Sequence, residues 1–511
     1  MGLDLLPVEL LRILGVHCDY KQLSHLARLN RTFNTIFNPI LYERNATDPL
    51  SPSCLHWATA CDSLPTLKLA LGHGADINRM DDVTDYVRLY CLESASIRKS
   101  LMQPPLATPL HLAIFQERFE IVQWLLDNGS CLDITARWKC GCSNHGGQQW
   151  YPLHFAICHS NEEILQLVLE RGAFYSSKSS NRDVPGLRCA INIGSVSAVD
   201  ALIQHSSFNP DYQDEYDFTP LHWVADTRRT EAACAIIEKL VQGGVPLNAQ
   251  SEYGGTALGH LVQQGLYEPA ITLLRHGADP TISDEADRGV GMLYCCFDER
   301  FAETIRAAEP GHAEKLKETR LELVKLIIAG GVDVNRRLGH GAAPFSRPLF
   351  WALVSTQDVR CIQVLLDAGA DMKMALVESN DELTGEDFLR GFFDLFGEKQ
   401  SNYLHRWDRM MTDFDLYKES LCLLLKKGAR IDSGKEWTAL SRACELERER
   451  GILTFLVENA TRMNVELEHV VTLRDRYAAD ETIRKLLNEF HGKLAAEDNK
   501  LEGGKGISNV A

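Results

Sequence analysis

The sequence predicts an all-α solenoid of about nine or ten helix–turn–helix units with insertions, preceded by a small three-helix module. Three observations predict this class. A short segment that opens a helix recurs along the chain, several of its copies are separated by 34 to 37 residues, and the N-terminal stretch has a different, tightly amphipathic pattern. With 45% hydrophobic and 24% charged residues, the 511-residue chain can bury enough apolar surface to exclude disorder throughout.

Residues 1–48 are expected to form three short helices, the first of which begins at Pro7. Its apolar residues recur at helical spacing and share one face; they are Leu6, Leu10, Ile13 and Leu14. The second helix brings together Leu23, Leu26 and Leu29, and a third begins at Arg31. A segment this short cannot bury a sufficient core alone, so part of its apolar surface should meet a partner or the first repeat.

From residue 53 onward one pattern recurs. In the copy that begins at Thr108, the threonine is expected to cap the first helix and Pro109 fits its first position, where a missing N–H costs nothing. Paired Leu, Val or Ile residues form the buried face of a second helix, and a glycine ends it. The leucines that align between copies are Leu55, Leu110, Leu153, Leu187, Leu221, Leu258, Leu293, Leu349 and Leu440. One such unit cannot bury its apolar face alone, so the units should stack.

Over residues 53–460 this pattern resembles the ankyrin-repeat family, whose period is about 33 residues. The resemblance implies that each histidine of the recurring Pro-Leu-His segment forms hydrogen bonds within and between neighbouring turns. It also implies a concave surface, built by finger tips and first helices, that binds a protein. Some copies depart from the pattern: Arg188 follows Leu187, Gly259 follows Leu258, and the segment from Leu293 to Cys296 is degenerate. We expect weaker or bent units at these places.

The N-terminal module resembles an F-box, in the variant that precedes ankyrin repeats in many filamentous-fungal proteins. The segments LPVELLRIL and LARLNRTFNTIFNPILYERN carry this resemblance. It implies that the partner is the Skp adaptor of a cullin-based ubiquitin ligase. The adaptor-binding surface would then contain Leu6, Pro7, Leu10, Ile13, Leu26 and Leu29. The alternative is an N-terminal cap that only shields the first repeat, because a repeat array needs terminal caps.

No residue pattern predicts catalysis or a cofactor. The phosphate-binding motif Gly-x4-Gly-Lys-Ser/Thr and the zinc-protease motif His-Glu-x-x-His are absent from the sequence, so we do not expect an enzyme. Cys140, Cys142 and His145 are weak candidates for a zinc site, and an ordinary loop is favoured because zinc needs four such donors. Cys295 and Cys296 could form a redox pair, but buried thiols are the favoured alternative.

Insertions interrupt the array near residues 79–107, 131–150, 298–318 and 372–403. The last of them has an aromatic helical face that includes Phe392 and Phe393. This face could form a partner-binding lid, but packing against its own repeat is favoured because large exposed apolar patches are rare. Residues 461–494 are expected to form capping helices, and residues 495–511 a disordered tail.

Composition disfavours two classes of partner, and the ankyrin resemblance favours protein recognition. The net charge of −17 disfavours binding to nucleic acid or to membranes. The fifteen scattered cysteines fit reduced thiols, as in the cytoplasm and/or nucleus. The sequence therefore predicts a protein-interaction module, either as the substrate receptor of a Skp–cullin–F-box ubiquitin ligase or as an ankyrin scaffold without that link. The candidate anchors for a bound protein are Trp57, Trp138, Trp150, Trp223 and Trp351, with the core as the alternative for those that follow Leu-His.

Overall fold

The computed structural model contains two compact units, Met1–Pro246 and Leu247–Ala511, which we call the N-terminal and C-terminal units. The residues that the structure describes are 3–48, 53–84, 86, 105–137, 150–159, 161–173, 186–206, 208–227, 230–282, 291–297, 307–336, 348–356, 358–372, 389, 392–393, 414–432, 438–461 and 463–505.

Helices dominate the N-terminal unit. They are α1 (Val8–His17), α2 (Tyr20–Leu29), α3 (Arg31–Thr47), α4 (Cys54–Ala60), α5 (Leu64–Gly72), α6 (Pro109–Phe115), α7 (Phe119–Asp127), α8 (Pro152–Cys158), α9 (Glu162–Glu170), α10 (Gly186–Ile193), α11 (Val196–Gln204), α12 (Pro220–Trp223) and α13 (Thr230–Gln242). Two short strands, β1 (Asp81–Asp82) and β2 (Leu106–Ala107), pair in antiparallel fashion across the first insertion.

The helix signals in the sequence are confirmed in the repeat that begins at Thr108. The Thr108 side chain accepts a hydrogen bond from the backbone N–H of His111, and Pro109 occupies the first helical position of α6. After the second helix, Gly129 has a φ of 90°, a left-handed conformation that glycine adopts without steric cost.

Stacking of successive helix pairs builds the core of the N-terminal unit. The first helices pack in sequence order, α4 on α6, α6 on α8, α8 on α10 and α10 on α12. Their inward side chains, such as Leu110 and Phe155, are fully buried. Each pair therefore covers an apolar face that it could not bury by itself.

The three N-terminal helices form a small core of their own. It contains Leu11, Leu23, Ala27, Phe33, Ile36 and Phe37. Asp19 and Gln22 form a capping box at the start of α2, and Asn30 caps α3. Local capping thus sets the turns between helices, and apolar burial holds them together.

Helices also dominate the C-terminal unit. They are α14 (Ala257–Gln263), α15 (Tyr267–Arg275), α16 (Met292–Cys296), α17 (Pro310–Ala329), α18 (Pro348–Trp351), α19 (Val359–Asp367), α20 (Lys418–Lys426), α21 (Ala439–Arg450), α22 (Ile452–Asn459), α23 (Leu467–Arg476) and α24 (Glu481–Lys505). Packing of α14 on α15, α15 on α17 and α17 on α19 continues the layered arrangement inside this unit.

Beyond Met372 at its start, the aromatic insertion is represented by three described residues. Leu389, Phe392 and Phe393 are fully buried, and the ring centroid of Phe392 lies 5.4 Å from that of Tyr417. These side chains therefore belong to the core of their own unit, which favours intramolecular packing over a partner-binding lid for this part of the insertion.

The chain end differs from the predicted disordered tail at residues 495–511. Helix α24 continues to Lys505. Leu494 is fully buried, and Ala495 and Ala496, which follow it, favour helix strongly enough to extend the last turn that packs. Residues 506–511 of the predicted tail lie outside the described residues.

Candidate protein-interaction surfaces

Exposed large apolar side chains are concentrated at the N-terminus. Eight of the fourteen in the described part of the chain lie between residues 3 and 29. They are Leu3, Leu5, Leu6, Val8, Leu10, Ile13, Val16 and Leu29. We call these eight residues the N-terminal apolar set. Scattered exposed apolar residues are normal on a protein, but such a concentration in one short module makes it a candidate binding surface.

Close packing of α1 on α3 determines which face of α1 is exposed. Leu11 and Gly15 face the module core, and a Cβ atom at Gly15 would lie 2.8 Å from Cδ1 of Ile40. The opposite face carries Leu10 and Ile13, which are 49% and 57% exposed. Glycine at residue 15 thus lets α1 approach α3 and leaves the other apolar face open.

The six adaptor-binding candidates are divided by the structure. Leu6, Pro7, Leu10, Ile13 and Leu29 are exposed. Leu26 is only half-buried and packs against the module core. Sequence reasoning missed Leu5 and Val16, which are 73% and 60% exposed. Val16 follows Ile13 by three residues, a helical spacing that could have predicted that both lie on the same face of α1.

The other side of the module contacts the first repeat through α3. The rings of Tyr42 and His73 stack with centroids 6.0 Å apart. Oε1 of Glu43 lies 3.6 Å from Nδ1 of His73. The side-chain oxygen of Asn45 accepts a hydrogen bond from the backbone N–H of Cys54 at 2.9 Å. Helix α3 therefore packs against the first repeat. The exposed apolar face lies on another helix of the module, α1.

The repeat histidines are buried structural links. Nε2 of His56 lies 2.8 Å from the carbonyl oxygen of Ala107, and Nε2 of His111 lies 3.2 Å from that of Trp150. Burial lowers the pKa of His111 to about 3 and also lowers the pKa of His56. A neutral histidine donates one hydrogen bond to the next repeat, so these residues hold repeats together and do not form a chemical site.

The fourth unit replaces its histidine by an ion pair. Arg188 lies 3.4 Å from a carboxylate oxygen of Asp214, and its guanidinium carbon lies 5.5 Å from the ring centroid of Trp223. The indole N–H of Trp223 donates to the same carboxylate at 3.1 Å. This network supplies the link between repeats that was expected to be weak there.

The five candidate tryptophan anchors have different environments. Trp150 and Trp223 are buried, so neither is an anchor: the prediction for Trp150 is wrong, and for Trp223, which follows Leu-His, the core alternative is confirmed. Trp351 is half-buried and its ring packs edge-on against Tyr294. Trp57 is 50% exposed. Trp138 lies outside the described residues.

The exposure of Trp57 follows from its place at the start of the array. At the matching position of the next two repeats, Leu112 and Phe155 are fully buried. In the first repeat, α3 packs on the second helix, α5, and so leaves the indole of the first helix open. Among the candidate tryptophans within the described residues, Trp57 is therefore the one best suited to binding a protein.

The zinc candidates Cys140, Cys142 and His145 lie outside the described residues. Elsewhere in the described ranges, no group of three or more His, Cys, Asp or Glu residues could hold a metal ion. Cys295 and Cys296 are buried, and burial raises the pKa of the Cys296 thiol well above its ordinary value. No helix within the described ranges is long and apolar enough to span a membrane.

Comparison with known proteins gives the same repeat class. A family model for ankyrin repeats (three copies) matches residues 87–179 and 187–284. The ankyrin repeat protein nuc-2 of Neurospora crassa is 28% identical over 264 residues, which are 52% of this chain and 21% of nuc-2. The nuclear factor NF-kappa-B p105 subunit of Gallus gallus is 24% identical over 179 residues, 35% of this chain and 17% of that protein.

The chain thus spans about a fifth of the length of these curated relatives. The crystal structure of the ankyrin repeat domain of Bcl-3 is 19% identical, with a TM-score of 0.36, and covers 52% of this chain and 99% of that domain. The chain contains ankyrin repeats, and its described part is an all-helical repeat fold with one short pair of strands.

Proposed function

We propose that this chain is the substrate receptor of a Skp–cullin–F-box ubiquitin ligase. The ankyrin repeats hold a protein target, and the N-terminal module binds the Skp adaptor. The observation that carries the adaptor proposal is the N-terminal apolar set, of which Leu10 and Ile13 occupy the α1 face opposite the module core. Burying these side chains against a partner would contribute roughly 25 cal/mol for each Å² removed from water.

The chain itself performs no chemistry in this proposal. It brings a bound target close to a partner enzyme, so its contribution is proximity and orientation. Ankyrin repeats support protein binding, and the exposed aromatic side chains of Trp57 and Tyr216 in the N-terminal unit are the anchors that we assign to the target. Cysteine usage supports a location in the cytoplasm or nucleus.

The second candidate is an ankyrin scaffold without a ubiquitin link. The contacts of Tyr42, Glu43 and Asn45 with the first repeat favour it, because they are what a pure N-terminal cap would make. The two functions use different helices and are compatible. A cap alone, however, gives no reason for the apolar residues of α1 to remain exposed.

Co-purification with a Skp adaptor tests the proposal. The full chain is compared with a Leu10→Asp/Ile13→Asp variant, in which two exposed side chains gain charge without touching the core. Leu6→Ala/Pro7→Ala is a milder second variant. Leu69→Asp is the matched control, because Leu69 is also exposed but lies on α5, outside the module.

We expect the adaptor to bind the wild type and the Leu69→Asp control, and to be lost from the Leu10→Asp/Ile13→Asp variant. Circular dichroism should show the same helical content in all three proteins. A folded wild-type chain that retains no adaptor would leave the scaffold function and remove the ubiquitin link. Equal retention by all variants would show that the adaptor uses another surface.

A further inference from the structure

Two cysteines from neighbouring repeats lie side by side in the N-terminal unit. Cys158 is the last residue of α8, and Cys189 lies within α10. Their Sγ atoms are 3.6 Å apart, which is van der Waals contact, and the two helices pack directly on each other. A disulfide bond is about 2 Å long, so the sulfurs must approach by about 1.6 Å to form one.

The position of Cys158 makes this approach feasible. Because the residue ends its helix, its backbone is not held by a following turn of α8. Cys189 is held in the middle of a buried helix and is 5% exposed. We therefore expect the movement that brings the two sulfurs together to occur mainly at Cys158.

The two thiols also differ in access to solvent. Cys158 is half-buried and is the more accessible of the two, whereas Cys189 is buried. An accessible thiol beside a second, resolving thiol is the arrangement that favours reversible oxidation over damage. Adjacent Cys295 and Cys296 lack this arrangement because both are buried.

We propose that Cys158 and Cys189 form a reversible dithiol–disulfide site that covalently links the third repeat to the fourth. The oxidant is a low-molecular-weight disulfide such as oxidised glutathione. The Cys158 thiolate attacks one sulfur of glutathione disulfide, forms a mixed disulfide and releases one glutathione thiolate. The Cys189 thiolate then attacks the Cys158 sulfur and displaces the second glutathione thiolate. The two protons lost by the cysteines protonate the two released thiolates, so two protein thiols are oxidised and one glutathione disulfide is reduced.

This disulfide bond would link the first helices of two repeats through residues that are 31 positions apart in the chain. It removes conformations from the unfolded chain, and it prevents α8 and α10 from separating in the folded one. Oxidation should therefore raise the midpoint of thermal unfolding of the full chain. It would also restrict any opening between the third and fourth repeats.

The test is oxidation of the full chain with excess glutathione disulfide, followed by alkylation of the remaining thiols and peptide mapping without reductant. We expect a peptide pair joined through Cys158 and Cys189, reversal by dithiothreitol, and a higher unfolding midpoint in the oxidised protein. The Cys61→Ser variant is the control, since Cys61 is an exposed thiol in the same unit. It should form the same link.

Single variants separate the roles of the two thiols. Cys189→Ser should accumulate glutathione on Cys158, and Cys158→Ser should leave Cys189 reduced and open to alkylation after unfolding. A wild-type protein that holds glutathione on Cys158 while Cys189 stays reduced would overturn the proposal. So would a link from either residue to Cys61 or Cys131, or no reaction at Cys158 where those exposed thiols react.

Discussion

Each repeat histidine forms contacts in two directions. Nδ1 of His111 lies 2.8 Å from Oγ1 of Thr108 in its own repeat, and its Nε2 lies 3.2 Å from the carbonyl oxygen of Trp150 in the next. The neutral ring can serve both, accepting at one nitrogen and donating at the other. A protonated ring would place an extra charge in a fully buried site, which explains why burial lowers the pKa of His111.

The first prediction concerns this histidine and pH. The pKa of His111 is about 3 in the folded chain and about 6.5 when histidine is unfolded. The unfolded state therefore binds the proton first as pH falls. The stability that neutral His111 contributes is fully present above about pH 6.5 and is lost progressively down to about pH 3.

Urea unfolding of the wild type and His111→Gln between about pH 4 and pH 7.5 measures this effect. At pH 7 the variant should be less stable by roughly 1–3 kcal/mol, because buried hydrogen bonds are lost. Its stability should also fall less steeply than that of the wild type on acidification. Parallel curves for the two proteins would contradict a role for His111 in the pH dependence.

Arg188 shows how a different residue can make the link between repeats. Its pairing with Asp214 is largely shielded from water, with side chains that are 22% and 11% exposed. Its second acidic neighbour, Asp226, is 3.8 Å away but 61% exposed. Ion pairs contribute more when water is excluded, so Asp214 should be the important partner.

The second prediction is that Arg188→Met destabilises the chain by roughly 1–3 kcal/mol, because Asp214 and the Trp223 indole lose a shared partner. Asp226→Asn should change stability by less than about 0.5 kcal/mol, since exposed pairs contribute little. Chemical denaturation measures both. A larger loss for Asp226→Asn than for Arg188→Met would contradict this division.

At the scale of elements, a lysine of the final helix, α24, caps the C-terminus of the last repeat helix, α22. Nζ of Lys493 on α24 donates to the carbonyl oxygens of Val457, Glu458 and Ala460 at 2.8 to 3.0 Å. The carbonyls of Val457 and Glu458 lie in the last turn of α22 and that of Ala460 directly follows it, where helix carbonyls have no partner inside the helix. A cation there also interacts favourably with the negative end of the helix dipole.

The third prediction is that Lys493→Met lowers the free energy of unfolding by roughly 1.5–3 kcal/mol, because three carbonyls lose a charged donor. Lys485→Met is the control, as Lys485 is an exposed lysine on the same helix. It should have an effect within about 0.5 kcal/mol. Equal losses in the two variants would show that the contacts of Lys493 do not stabilise α22.

For the whole molecule, charge is distributed unevenly along the sequence. Residues 1–48 contain five Lys or Arg and five Asp or Glu residues, so the net charge of −17 arises entirely after them. The module that carries the N-terminal apolar set is therefore neutral, and a partner can approach it without strong repulsion. The remaining acidic surface repels phosphate groups.

The fourth prediction is that the full chain does not bind duplex DNA. Fluorescence anisotropy of a labelled duplex at about 50 mM salt, where electrostatic binding is strong, should not change with up to about 10 µM protein. A basic DNA-binding domain in the same buffer shows that the assay responds. Salt-dependent binding by this chain would reveal a basic surface that the net charge conceals.

The repeat class could be predicted from sequence because its signals are local. Thr-Pro starts, paired apolar residues and closing glycines act within one helix or turn, so Thr108, Pro109 and Gly129 can be interpreted without knowledge of the rest of the fold. The three helices of the module could be predicted for the same reason. The extension of α24 to Lys505 was missed because polar residues in a long helix resemble those of a tail.

The sequence by itself therefore determined most of the helical segments, although not the end of α24, and that they stack as ankyrin repeats. The tertiary structure decided which apolar residues remain exposed. Both Leu11 and Leu10 fit a helix face, and only packing on α3 buries the first and exposes the second. The approach of Cys158 to Cys189 likewise depends on stacking between repeats. Local sequence sets the conformation of the backbone, whereas exposure and long-range contacts depend on which neighbouring surface covers each side chain.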